Sequence, residues 1–175
     1  MAIIGIVGAD ARAVAIGRVI RKAGHTVCFS DVNDYRTSIA AADIVGDGAY
    51  AAMPDRQAEA CETIVLAVRW QDVDRALEAI GRFEEGIVVD ATRPPSLGHL
   101  SGAELLAHKL NNPRVVKGFV EPLETAEFIR IASDDVGARA EVGELIARSG
   151  RTALDVGPLQ RARDIEREIA KQLTL

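Results

Sequence analysis

Apolar positions along the chain fall into two kinds of short run, and the two kinds alternate. Ile3 to Val7 (Ile-Ile-Gly-Ile-Val) reads as a short buried strand, and Ala11 to Ala23 then carries Ala15, Ile16, Val19, Ile20 and Ala23 at helical spacing before Gly24 stops it. His25 to Ser30 is β-branched and aromatic, which predicts a second strand, and Asp31 to Asp34 is polar turn material. These pieces make one βαβ unit. Between Ile39 and Ala60 the pattern is weaker: Ile44 to Tyr50 reads as a third strand, and Ala58 to Cys61 as the end of a short helix.

The alternation then resumes. Thr63 to Val68 is a continuous apolar run typical of a parallel strand covered on both faces, and Asp72 to Ile80 predicts an amphipathic helix on Val73, Leu77 and Ile80. Gly86 to Asp90 repeats the strand signal, and Pro94-Pro95 ends it. A helix over Ala103 to Leu110, strands over Arg114 to Val120 and Phe128 to Ala132, a helix over Gly137 to Ser149 closed by Gly150, and a strand over Arg151 to Val156 complete the series. The order implies an α/β fold of the Rossmann type, a doubly wound, mostly parallel sheet with helices on both faces. Such sheets bind ligands at the carboxyl ends of their strands, so the loops after Val7, Ser30, Val68 and Asp90 are the places to look. Residues 1–157 are expected to form this dinucleotide-binding domain. Residues 158–175 are expected to add an amphipathic helix, Leu159 to Leu173, with Ala162, Ile165, Ile169 and Leu173 in one stripe for packing or dimerisation.

Composition narrows the functional classes. The 175 residues are 48% apolar and 27% charged with a net charge of −5, which suits a soluble globular domain and argues against a nucleic-acid surface. Cys28 and Cys61 lie in apolar stretches without metal spacing, so buried reduced thiols and no bound metal are expected. No run approaches the roughly 18 apolar residues of a membrane span and no signal-peptide pattern opens the chain, so a cytoplasmic protein without membrane partners is expected.

The first loop, Gly8-Ala9-Asp10-Ala11-Arg12-Ala13, occupies the register of a GxGxxG fingerprint but reads GxDxxA. The first glycine makes the tight turn, and alanine is an accepted substitute for the third, where helix and strand pack closely. The second lets backbone approach a pyrophosphate, and there Asp10 brings a side chain. A carboxylate about 4 Å from a phosphate oxygen costs roughly 4 kcal/mol at an effective dielectric near 20, against about 1 kcal/mol returned by a helix N-terminus. Two readings remain open: Asp10 as an N-cap without a pyrophosphate, or Asp10 as an N-cap with Arg12 offering its guanidinium to the phosphates.

Asp31 ends the second strand about 23 positions after Gly8, close to the roughly 20-residue offset of the acidic residue that binds the adenosine ribose of NAD, and it would repel a 2′-phosphate. Arg69 and Trp70 follow the central strand, and Arg93 follows Asp90-Ala91-Thr92. Two cations and an indole are thus expected at the cleft rim, where they could hold an anionic or flat substrate. His25, His99 and His108 have no acidic or cysteine partner at diagnostic spacing.

Read in order, Gly8 to Ala13, Ala23-Gly24-His25, Ile64 to Trp70, Val88 to Thr92, Val115 to Phe119 and Asp155-Val156-Gly157-Pro158-Leu159 with Ala162-Arg163 form a series. It resembles the deazaflavin-dependent NADP oxidoreductase family and its pyrroline-carboxylate-reductase-like Rossmann relatives. The resemblance spans nearly the whole chain, and it implies a Rossmann domain that moves hydride between NADP and a deazaflavin. With the loop reading, it puts cofactor contacts at Gly8, Ala9, Asp10, Ala11, Arg12, Ala13, Asp31, Val68 and Arg69, and substrate contacts at Trp70, Arg93 and Phe119. The chain departs from the family pattern at Asp10 for glycine, at Asp31-Val32-Asn33 for the serine-arginine pair of the 2′-phosphate site, at Arg69 for proline, at Arg93 for asparagine, and at Val120 for a polar residue.

The favoured reading is therefore an NAD(P)-dependent oxidoreductase, with Asp31 tilting the choice toward NAD, a small-molecule or deazaflavin-like substrate, and a homodimer formed through the last helix. The alternative is a degenerate Rossmann binding or regulatory module with no dinucleotide. An S-adenosylmethionine-dependent transferase, which also pairs a glycine-poor loop with an acidic residue after the second strand, is a third.

Overall fold

In a computed structural model of the chain, which describes residues 1–95, 98–112 and 114–173, the expected alternation is present as a doubly wound parallel sheet. Strands β1 (Ile3–Val7), β2 (Thr26–Ser30), β3 (Ala49–Ala51), β4 (Thr63–Leu66), β5 (Ile87–Asp90) and β6 (Val115–Lys117) lie in the order β3-β2-β1-β4-β5-β6. All five pairings are parallel, with Gly5 opposite both Cys28 and Ile64. The strand order reverses between β1 and β4, so the crevice at the carboxyl ends opens there.

Strict alternation within the strands builds a core on each face of the sheet. Ile4, Ile6, Val27, Phe29, Val65, Val89 and Val116 point to one side, where they pack with helices α1 (Ala11–Lys22), α2 (Tyr35–Val45) and α6 (Val136–Arg148). Val7, Cys28, Ile64, Leu66, Val88 and Val115 point to the other, against α3 (Pro54–Ala60), α4 (Val73–Ile80) and α5 (Gly102–Leu110). Strands covered on both faces need near-continuous apolar sequence, as these have.

The weak stretch resolves differently from the expectation. Residues 35–45 are helical, so Ile44 and Val45 end α2 rather than begin a strand, and only Ala49–Ala51 pairs with β2. Asp34 caps α2 by accepting from the Arg36 N–H at 2.9 Å, and Gly46 at φ +86° stops it. Its inward face is built from Ala41, Ala42 and Ser38, too small to give a strong apolar period.

Beyond β6 the chain turns at Phe119, a non-glycine residue at φ +57°. β7 (Phe128–Ile131) and β8 (Thr152–Asp155) form their own two-stranded parallel ribbon, joined to the main sheet by an antiparallel bridge between Lys117 and Ala132. The final helix α7 (Ala162–Leu173) buries Ala162, Ile165 and Ile169, the last two against Val120 and Ala132. Arg163 ties it to Glu104 of α5, with Nε to Oε2 at 2.8 Å. Three of the four stripe positions, Ala162, Ile165 and Ile169, are thus packed within the chain itself; the Leu173 side chain lies outside the described residues. Among the described residues no helix is long and apolar enough to cross a membrane.

Candidate active site

The turn from β1 into α1 has the geometry a dinucleotide loop requires at its first position. Gly8 sits at φ +122°, and a Cβ there would lie 2.5 Å from the Ala67 carbonyl oxygen, so only glycine fits. Asp10, an exposed residue, is the N-cap of α1 at φ −77°, ψ 178°, and its carboxylate accepts from the Ala13 N–H at 2.9 Å. Ala13 is fully buried where the helix meets the sheet.

Arg12 does not turn toward the loop. Its guanidinium crosses to the carboxyl ends of β4 and β5, where Nη1 donates to the Ala91 carbonyl and Nη2 to that of Val68 at 3.3 Å. Burial pushes this guanidinium below its usual value; Asp10 and Asp90 oppose the shift and Arg93 adds to it. This guanidinium therefore lies over the carboxyl ends of β4 and β5, the place where doubly wound sheets take the second half of a dinucleotide.

Asp31 closes β2, as expected, and shapes the loop: its Oδ1 accepts from the N–H groups of Asn33 (2.7 Å) and Asp34 (3.0 Å). Oδ2 takes no hydrogen bond among the described residues. Arg75 of α4 reaches over to donate to Asn33 Oδ1 at 2.6 Å.

The expected rim residues are present, and both arginines already hold partners. Arg69 pairs with Asp72 at 2.9 Å. Arg93 gives both Nε (3.0 Å) and Nη2 (2.6 Å) to the Val120 carbonyl. Half-buried Trp70 packs on Gly102, where a Cβ would meet the indole at 2.8 Å, beside Pro94. Phe119, expected among the substrate contacts, is instead 1% exposed and packs in the core, on a left-handed backbone. Cys28 and Cys61 are buried free thiols; a hydrogen bond between them leads the causes that lower Cys28 and those that raise Cys61. Among the described residues no cluster of His, Cys, Asp and Glu is placed to hold a metal ion.

The strongest electrostatic feature of this end of the sheet escaped the sequence reading. Lys117, fully buried at the end of β6, donates to Asp90 Oδ2, to the Thr92 carbonyl and to Glu166 Oε1, each at 2.8 Å. Those three bonds saturate its ammonium. Asp90, also fully buried, accepts further bonds from the Thr92 N–H (2.9 Å) and hydroxyl (2.6 Å). Glu166 of α7 also accepts from the Gly102 N–H that opens α5, at 3.0 and 3.1 Å. Burial pushes the Glu166 carboxyl above the usual range; Lys117 pulls it down and Asp90 pushes it up. A faint signal existed in the sequence: Glu166 stands four residues after Ala162 and three before Ile169, inside the apolar stripe rather than on the polar face.

A cavity of about 90 Å³ lies beside this cluster, lined by Thr92, Arg93, Pro94, Val120, Glu166 and Ile169 together with Ala170.

Comparison with known proteins places the chain among oxidoreductases. The family model for NADP oxidoreductase, coenzyme F420-dependent, matches residues 3–94, more than half of the chain. No curated protein matches. Among solved structures, a hypothetical protein, SMa0349, from Sinorhizobium meliloti superposes with a TM-score of 0.81 at 21% identity, covering 91% of this chain and 86% of that one. A protein from Arthrobacter sp. FB24, provisionally named an F420-dependent NADP reductase, gives 0.81 at 20% identity over 98% and 92%. A reductive aminase from Aspergillus terreus, solved with NADPH and ethyl levulinate, gives 0.77 at 16%; the match takes in 99% of this chain but 61% of the aminase. At these identities the superpositions establish the Rossmann fold.

Proposed function

The chain belongs to the family of coenzyme F420-dependent NADP oxidoreductases, and on that premise we propose that it is a nicotinamide-dinucleotide-dependent oxidoreductase whose crevice lies between β1 and β4. The observation that carries the reading is the β1–α1 turn. Gly8 keeps the conformation and the close approach to Ala67 that the turn demands, while Asp10 caps the helix N-terminus through the Ala13 N–H alone and leaves the Ala11 and Arg12 N–H groups without a side-chain partner.

The residues present fit a dinucleotide in its adenosine half. Asp31 stands at the end of β2 with Oδ2 open to a ribose hydroxyl, and its charge favours NAD over NADP, since a 2′-phosphate about 4 Å away would be repelled by roughly 1 to 4 kcal/mol per unit charge, depending on exposure. The Ala11 and Arg12 N–H groups at the start of α1 remain to meet a phosphate. Val68 and Arg12 would line the second half, Arg69 and Trp70 its rim. When bound, a reduced nicotinamide supplies a hydride. The small-molecule substrate would lie beyond β5, next to Arg93, which places positive charge beside that position.

Fluorescence titration with NADH and NADPH tests this. The expected result is saturable binding in the micromolar to millimolar range, with NADH the tighter ligand. No binding of either at about 1 mM would end the reading, that being the upper end of working affinities for such substrates. A second reading, a binding module without a dinucleotide, draws on Asp10 taking part of the helix N-terminus for itself; stabilisation by non-nucleotide anions alone in a thermal-shift series would favour it.

A further inference from the structure

We propose that Glu166 is the proton donor for the reduction of a small aldehyde or ketone bound in the cavity between α7 and the ends of β5 and β6, an assignment that rests on the oxidoreductase reading above. One ammonium, Lys117, lies between two carboxyl groups, Asp90 and Glu166, in a site closed to water on the Asp90 and Lys117 side. The ammonium balances one carboxylate; a second would have only Arg93 to balance it, across the cavity and with Nε and Nη2 already given to the Val120 carbonyl.

The proton belongs on Glu166. Asp90 takes the ammonium and both donors of Thr92, whereas Glu166 takes the ammonium and one backbone N–H. The carboxyl with fewer donors keeps its proton more readily. Its Oε1 accepts from Lys117 and from the Gly102 N–H at 3.0 Å, whereas Oε2 takes only the longer, 3.1 Å branch of that same N–H, so Oε2 is the oxygen to carry the hydrogen. The charged groups facing Glu166 are Lys117 from β6, Asp90 from β5 and, across the cavity, Arg93 from the loop after β5; α5 contributes the Gly102 N–H. The same Lys117 and the α5 N-terminus support the carboxylate that remains after the proton leaves, so donation does not strand a bare charge.

The cavity gives the proton somewhere to go. At about 90 Å³ it has room for about three waters, at roughly 30 Å³ each, or for a carbonyl compound of three or four carbons. Pro94, Val120 and Ile169 make the walls apolar, and the acid sits at one edge. Its lining residues Thr92 and Arg93 follow directly on Ala91, whose carbonyl accepts from Arg12, which puts the cavity beside the expected second mononucleotide half. In the balanced step the carbonyl carbon gains a hydride from the reduced nicotinamide, the C=O π pair takes the proton from Glu166 Oε2, and an alcohol results. Glu166, 12% exposed, regains a proton from solvent.

The test uses the wild-type protein and Glu166→Gln, with butanone and pyruvate as probes. In the wild type, ¹³C NMR of glutamate side-chain carboxyls is expected to show one signal titrating above the ordinary range and shifting when a probe is added. NADH affinity, read by fluorescence, is expected to match within about twofold in the two proteins. Turnover by E166Q is expected to fall about 10²- to 10⁴-fold, and to lose the decline at high pH that a required protonated acid imposes. A glutamate signal that titrates normally and ignores both probes overturns the proposal whatever the variant does. So does E166Q turning over within tenfold of wild type with the same alkaline decline, or a wild type that binds NADH and reduces neither probe; in both cases the oxidoreductase reading survives. Failure of the wild type to bind NADH or NADPH sinks that reading instead, and the assignment with it.

Discussion

Lys117→Met should be among the most damaging single substitutions in the chain. The ammonium is fully buried and makes three bonds of 2.8 Å, and its removal leaves Asp90, equally buried, with only the Thr92 donors. Breaking a buried pair by deleting one partner costs about 3–5 kcal/mol, because the remaining charge is dehydrated without compensation. For a chain of this length each kcal/mol moves the melting temperature by about 2–4 °C, so a fall of roughly 6–20 °C is expected. Urea unfolding and calorimetry of K117M, Asp90→Asn and the double variant measure it. Because the amide introduced by Asp90→Asn carries no charge and can still accept from Thr92, the double variant should be less damaged than the sum of the two singles by at least about 1 kcal/mol. Additivity within about 0.5 kcal/mol, or a K117M loss below about 1 kcal/mol, would show that the pair is hydrated and that the argument from burial is wrong.

Three further outcomes follow from the same geometry. Asp31→Ala should weaken NADH by about 10- to 150-fold, the worth of a charge-assisted hydrogen bond of about 1.5–3 kcal/mol, and should narrow the gap between NADH and NADPH; unchanged titrations would remove Asp31 from the site. Asp10→Gly should tighten dinucleotide binding at least about tenfold by removing a carboxylate from the phosphate end, while costing only a few tenths of a kcal/mol of stability as a cap change; weaker binding would mean that the carboxylate orders the loop for its ligand. Glu166 gives stability a pH slope of definite sign: with its folded value raised by burial above the unfolded one, the folded state holds more protons between the two, so wild-type stability falls as pH rises through that window, and E166Q should lack the slope. Parallel stability curves for the two proteins across that range would contradict it.

Most of the fold was legible because the main sheet is covered on both faces. Ile64 to Leu66 or Ile87 to Val89 must be apolar at every position, and each such run is short, which separates it from the longer periodic helices. The α2–β3 stretch was not legible for the converse reason. α2 fully buries only Ala41, Ala42 and Ser38, with Val45 half-buried at its end, and β3 is a three-residue edge strand with its side chains half exposed, so neither carries a strong period. The charged cluster was hidden differently: Asp90, Lys117 and Glu166 lie on three elements, and only the register of β5 with β6, Asp90 opposite Lys117, brings the first two together. Phe119 misled because an aromatic after a strand end can face either the crevice or the core, and it is the backbone at φ +57° that decides.

The altered loop separates two demands that a glycine fingerprint merges. At Gly8 the fold itself excludes a side chain, since φ is +122° and the Ala67 carbonyl fills the place of a Cβ. At Asp10 the backbone, at φ −77°, is open to any residue, so glycine at that position of the pattern serves the ligand's approach and not the turn. Loss of the second glycine therefore carries no information against the fold, and it bears on the ligand only through where the new side chain goes. Here it goes to the Ala13 N–H, while Arg12 goes to the carbonyl ends of β4 and β5; the anionic group is held at the helix and the cationic one over the second half of the crevice. A cation there would disfavour a positively charged oxidised nicotinamide relative to the neutral reduced ring, so Arg12, at a position the glycine pattern leaves variable, would bias a bound dinucleotide toward its reduced form.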